Sequence, residues 1–143
     1  MSFVKIWIHA VWSTKKRYKQ LDESKRKIIF RHMHENAFSK GILMEEVNGY
    51  SDHVHCLFRL RNDQTIGKVI QLIKGESAYW INKQQLTKTK VQWQKEYYAV
   101  SVNERGVDNV KRYIQNQEEH HRKQSYSKEY DDFISKYGFV IKG

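Results

Sequence analysis

The 143-residue chain carries 26 Lys and Arg against 16 Asp and Glu, a net charge of +10. With 39% hydrophobic and 13% aromatic residues it holds the material for a packed core, which excludes wholesale disorder. No apolar run approaches the ~20 residues of a membrane span, so no membrane partner is expected. The excess positive charge predicts a polyanionic partner, nucleic acid foremost.

A single cysteine, Cys56, cannot form an internal disulfide, which fits a cytoplasmic protein, nucleoid-associated when bound to DNA. The start, Met1-Ser2-Phe3-Val4-Lys5, enters a strand directly and does not read as a signal peptide. With no Pro anywhere, one domain over residues 1–143 is expected: a core over about 3–122 and a C-terminal tail, 123–143, with a short helix.

Residues 3–14 alternate with period two, placing Val4, Ile6, Ile8, Ala10 and Trp12 on one face and Trp7, His9 and Val11 on the other. The basic loop Lys15-Lys16-Arg17 follows. A helix is predicted from about Asp22 to Lys40, with Ile29, Phe30, Met33 and Ala37 as its stripe and Gly41 as its stop. A second strand covers Ile42 to Tyr50, with Asn48-Gly49 as a turn signal. Val54, Cys56, Phe58 and Leu60 make the apolar face of a third strand from His53 to Leu60. Thr65 caps a second helix that runs to about Lys83. A fourth strand is predicted from about Val91 to Val102, and a last helix from about Val107 to Arg122.

The order is β-α-β-β-α-β with an extra helix, an α+β pattern matching the ferredoxin-like split βαβ arrangement. There the first and third strands are neighbours, which brings His9 toward His53 and His55.

His53 and His55 lie on one strand face roughly 6.6 Å apart, so both imidazoles can lean toward one ion. Two polar residues on a solvated face is the competing reading. On the last helix, Val107, Val110 and Ile114 make the buried stripe, and Tyr113 and Gln117 stack along its edge at i and i+4. Singly, Tyr113 reads as a boundary residue and Gln117 as a solvated one. Together with the histidines they supply metal ligands and a nucleophile for one cleft. Two imidazoles and an amide oxygen suit Mg²⁺ or Mn²⁺ as a Lewis acid. His121, one turn beyond Gln117, is an accessory ligand or, more simply, a surface or phosphate contact. Cys56 is assigned to the core, and Asp52 to a turn or to orienting a histidine.

His53-Val54-His55 resembles the HUH motif of single-strand DNA nucleases. With Tyr113-Ile114-Gln115-Asn116-Gln117 on a late helix, the chain resembles the single-tyrosine transposases of small insertion sequences, the IS200-like TnpA type, and their REP-associated relatives. Ile8 to Arg17, and Trp93-Gln94 leading to Tyr97–Val102, also look like that family. The resemblance implies that Tyr113 is the nucleophile and forms a 5′-phosphotyrosine on single-stranded DNA. It further implies that His53, His55 and Gln117 hold the ion, that the protein is a homodimer, and that it recognises hairpins at element ends. Lys15, Lys16, Arg17 and Arg112 are the candidate phosphate contacts, with His9 as a further accessory residue. The alternative is a domesticated binding protein that uses the same fold to hold hairpin DNA without cleaving it. A histidine-rich zinc hydrolase fits less well, because no His-Glu-x-x-His is present.

Overall fold

The computed structural model describes residues 2–139. Strand β1 (Ile6–Ser13) leads through a short 3₁₀ turn at Lys15–Arg17 into helix α1 (Glu23–Ser39). Strands β2 (Leu43–Gly49) and β3 (His53–Leu60) follow, then α2 (Ile66–Lys83) and β4 (Tyr98–Val102). Three helices close the described chain: α3 (Val107–Gln115), α4 (Gln117–Lys123) and α5 (Tyr126–Lys136). The sheet order is β2-β3-β1-β4, antiparallel throughout, so the two central strands are β1 and β3 as the ferredoxin-like pattern requires.

Strand alternation gives the sheet two unlike faces. Ile8, Ala10, Trp12, Val54, Cys56 and Phe58 pack against Ile29, Phe30 and Met33 of α1 and Val69, Ile70 and Ile73 of α2. On the opposite face Trp7 and Leu57 meet Val107 and Ile114 of α3, while Val11 and Tyr98 meet Tyr126 of α5. His9, His53 and His55 lie on this second face, all buried. Thr65 caps α2 as expected, its hydroxyl accepting from the Lys68 amide at 3.3 Å.

Three boundaries differ from the sequence expectation. The β2–β3 turn falls at Tyr50–Asp52 and not at Asn48-Gly49. Gly49 is needed for close approach, since a Cβ there would stand 2.1 Å from the His53 carbonyl oxygen. The fourth strand is interrupted by a register slip. Residues 92–94 still run antiparallel to the end of β1, with Trp93 opposite Thr14 where the β4 register would set Lys95. The Gln94 amide donates to the Ser13 carbonyl at 2.8 Å. The Asn82 side chain brackets Val91, donating to its carbonyl (3.0 Å) and accepting from its amide (2.8 Å), and Trp93 Nε1 donates to Ser77 Oγ (3.0 Å). The last predicted helix is broken at Asn116 into α3 and α4. There the Asn48 side chain donates to the carbonyls of Ile114 (2.8 Å) and Gln115 (3.2 Å), occupying the final turn of α3.

Candidate active site

The register of β1 against β3 sets His9 opposite Leu57 and Val11 opposite His55. The diagonal from His9 to His55 is closed by a hydrogen bond, Nε2 to Nδ1, at 2.9 Å. Across the histidines lie Tyr113 from α3, Gln117 and His121 from α4, and Glu129 from α5. Tyr113 was expected on the same helix as Gln117. The break at Asn116 separates them, yet Gln117 Nε2 still points back at the Tyr113 carbonyl (3.5 Å). The bidentate pairing of buried Arg26 with Glu118, at 2.8 and 3.0 Å, fixes α4 to α1.

At the centre is the Glu129 carboxylate, 4% exposed. One oxygen lies 3.0 Å from His55 Nε2 and 3.3 Å from His53 Nε2; the other lies 3.2 Å from His120 Nε2 and 3.3 Å from His121 Nε2. The Tyr113 hydroxyl donates to the same carboxylate, and Gln117 Nε2 approaches it at 3.4 Å. Burial alone would raise the Glu129 pKa, but the surrounding imidazoles of His121, His53 and His55 outweigh it and hold the group well below the usual carboxylate range.

The hydrogen-bond pattern distributes the protons. His53 has both ring nitrogens next to acceptors: Nδ1 at 2.9 Å from Asp52 Oδ1, and Nε2 at 3.0 Å from Gln117 Oε1. Burial opposes its charged form, yet the bonds to Asp52 and Glu129 raise its pKa. His55 donates from Nε2 to Glu129, so its Nδ1 accepts from His9. Burial and the neighbouring charges keep both neutral, His55 down at about 4 and His9 at about 3. Burial first, then the adjacent Glu129 charge, pushes the Tyr113 hydroxyl above its ordinary range.

The donor set fits a divalent ion. One ligand atom from each of His53, His55, His121 and Glu129 lies within 4.8 Å of all the others, and all four residues are buried. His121 donates from Nδ1 to the Gln124 carbonyl (2.7 Å), which leaves its buried Nε2 a lone pair with no hydrogen-bond partner. Asp52 on His53 Nδ1 is the outer contact that metal-binding imidazoles usually carry.

Of the residues singled out in the sequence, His9, His53, His55, Tyr113, Gln117 and His121 are therefore brought together. His121 is only 8% exposed and faces the carboxylate, which corrects its reading as a surface contact. Lys15 and Lys16 stand exposed on the 3₁₀ turn after β1. Arg17 leans onto α5, its guanidinium 5.1 Å from the Tyr126 and Tyr130 ring centres. Arg112 is not brought in; it is exposed and bonds Asn109 on its own helix. Cys56 is buried in the core. Glu129 was missed. The available signal was an acid inside an apolar stripe, since Tyr126, Glu129, Tyr130 and Phe133 share one face of α5 at helical spacing.

Among the described residues no helix is long and apolar enough to cross a membrane. No curated protein matches the chain by sequence. Among solved structures the chain is similar to a Deinococcus radiodurans R1 protein assigned as a transposase, with TM-score 0.65 and 22% identity, over 81% of this chain and 93% of that one. It is also similar to a REP-associated tyrosine transposase bound to a REP hairpin, with TM-score 0.60 and 17% identity, over 85% of this chain and 72% of that one. At these identities the likeness establishes the fold. The profile of IS200-like transposases matches residues 2–117, from ahead of β1 to the first residue of α4. On that match the chain belongs to the IS200-like transposase family.

Proposed function

We propose that the protein cleaves and rejoins single-stranded DNA through Tyr113, with a divalent ion held by the histidines of β3. One observation carries the reading: the Tyr113 hydroxyl and the Nε2 atoms of His53 and His55 converge on a single buried carboxylate, Glu129. Such convergence gives a nucleophile and an ion site in one cleft.

In the reaction the Tyr113 oxygen bonds to phosphorus and the bond to the 3′-oxygen breaks. The tyrosine proton is lost, the 3′-oxygen gains one, and the products are a 5′-phosphotyrosine and a free 3′-hydroxyl. Attack by a second 3′-hydroxyl reverses the step and joins new ends. The bound ion supplies Lewis-acid polarisation of the phosphate and offsets the negative charge that keeps Tyr113 protonated. His53, His55 and His121 would hold it through Nε2, with Glu129 and Gln117 as oxygen ligands. Asp52 would keep the His53 Nδ1 proton in place. His55 would ligate as its Nδ1–H tautomer, donating to His9 Nε2, and the proton His9 carried on Nε2 would then sit on its Nδ1. Three imidazoles with one carboxylate favour Mn²⁺ over the harder, oxygen-seeking Mg²⁺.

Because α3 seats the Tyr113 hydroxyl directly on Glu129 of the same chain, we assign the tyrosine to its own subunit. A homodimer would then bring two complete sites together, one for each element end. The substrate we assign is DNA carrying hairpins, consistent with the net positive charge and with the hairpin on the REP-associated transposase of similar fold.

The test is a denaturing gel of the protein with labelled single-stranded DNA from the flanks of its own gene and Mn²⁺. A labelled protein band is expected for the wild type and not for Tyr113→Phe or His55→Ala. Equal labelling of Tyr113→Phe would overturn the nucleophile assignment. Hairpin binding by the wild type without labelling under any divalent ion would favour the binding-only reading.

A further inference from the structure

A cavity of about 430 Å³ lies beside the histidine cluster, between the Lys16–Arg17 turn, the start of β4 and the first turns of α5. Its volume falls in the range of roughly 300–1,000 Å³ common to small-ligand sites. Four tyrosines line it, Tyr97, Tyr98, Tyr126 and Tyr130, together with the cations Lys16 and Arg17 and one carboxylate, Glu96, which accepts from the Gln94 side chain at 2.8 Å. Lys16 and Arg17 are consecutive non-glycine residues in the left-handed region, at φ 56° and 55°. Such conformations are strained and gather at ligand-holding loops. Tyr98 is 7% exposed, and its hydroxyl is buried with no hydrogen-bond partner among the described residues. Apolar packing alone has no use for an open space that combines aromatic walls, two cations and an unpaired hydroxyl.

The cavity is one ring away from the cluster. Tyr126 forms its wall on one side and stacks on His53 on the other, with ring centres 4.3 Å apart. A group held here has only the Tyr126 ring between it and His53.

We infer that this cavity receives one unstacked nucleotide of the single-stranded substrate, immediately beside the phosphate that Tyr113 attacks. The base stacks against Tyr97, the wall that is 41% exposed, as bases do on aromatic platforms in single-strand binding, while Tyr126 and Tyr130 carry the Arg17 guanidinium. The exposed Lys16 and Arg17 side chains take the adjoining phosphate. The subsite would thus fix where the strand sits relative to the cleavage point. This inference rests on the reading of the protein as a single-strand DNA enzyme.

The experiment measures binding of short fluorescent single strands from the flanks of the protein's own gene, each with one nucleotide made abasic, the position moving along the strand. Base stacking is worth about 1–3 kcal/mol, so loss of the captured base is expected to weaken wild-type binding roughly tenfold at a single position. Tyr97→Ala, which removes a partly exposed wall, is expected to bind the intact strand about tenfold less well and to be indifferent to the abasic change at that position. Arg17→Gln, in an exposed turn, is a second variant should Tyr97→Ala fail to fold. It is expected to weaken binding and to lower its salt dependence.

If no abasic position matters more than the others, or if both variants stay as sensitive as the wild type to the same position, the subsite is overturned. Tyr113→Phe runs alongside. A wild type that shows the abasic pattern but forms no covalent product would retain the subsite and remove the catalytic reading. Covalent product without the pattern would do the reverse.

Discussion

Along β3 the residues Val54, Cys56 and Phe58 point to one side of the sheet and His53, His55 and Leu57 to the other, and all six are 0% exposed. Depth of burial is the same, but the source of cohesion is not. The first side is filled by aliphatic and aromatic groups from two long helices, so its stability is spread over many small contacts. The second side buries imidazoles whose polar atoms depend on partners, and most of those partners are a single carboxylate on α5. One face tolerates small changes in shape. The other concentrates its dependence in one residue.

The largest effect should come from breaking the apolar face. Phe58→Ala is expected to cost about 3–5 kcal/mol. Thermal or denaturant unfolding at pH 5 and pH 8 should return the same loss, because no titrating group is involved. On the opposite face, Glu129→Gln keeps the shape and removes the charge. A cost of about 1–3 kcal/mol is expected from the poorly paired imidazoles. Mn²⁺ binding, followed by electron paramagnetic resonance of the free ion, should weaken about tenfold or more. Unchanged Mn²⁺ binding would remove Glu129 from the ligand set.

Acid sharpens the same contrast. His9 and His55 titrate at about 3 and about 4 when folded, below the ordinary 6.5. Between pH 6.5 and about 4 the unfolded chain therefore binds more protons, and lowering the pH favours unfolding. Each of the two contributes on the order of 2 kcal/mol of lost stability by pH 5. His53 acts in the opposite sense, since its pKa is raised: its contribution is full below pH 6.5 and fades as the pH climbs through the folded value. A plot of melting temperature against pH should fall on the acid side, and His9→Phe should flatten that fall. The smallest change is Asn48→Ala. Freeing the Ile114 and Gln115 carbonyls is expected to cost about 1 kcal/mol, visible as faster amide exchange around Asn116.

Features carried by local pattern were legible in the sequence. The alternation of β1 and β3, the His53-Val54-His55 triplet and the stripes of α1 and α2 depend on neighbours two to four residues away. Chain order then placed His9 beside His55 through the ferredoxin-like topology. The break at Asn116 was not legible, because the side chain that causes it belongs to Asn48, 66 residues from Ile114. The register slip ahead of β4 was hidden for the same reason, since Asn82 and Ser77 on α2 hold a segment that still pairs with the end of β1. Glu129 is one of 16 acids, and neither a motif nor the family profile, which ends at residue 117, reaches it. Its position inside an apolar stripe said that it needed a partner. Only the packing of α5 against the histidine face said which.

The position of α5 in the chain also orders events during synthesis. Every strand, and every residue matched by the family profile, leaves the ribosome before Glu129 does. A chain halted by a stop codon after Lys123 would hold both β3 histidines, Tyr113 and Gln117, yet leave four imidazoles without their shared carboxylate. The site is thus assembled only after every strand of the described sheet and all of the profile-matched segment have been made.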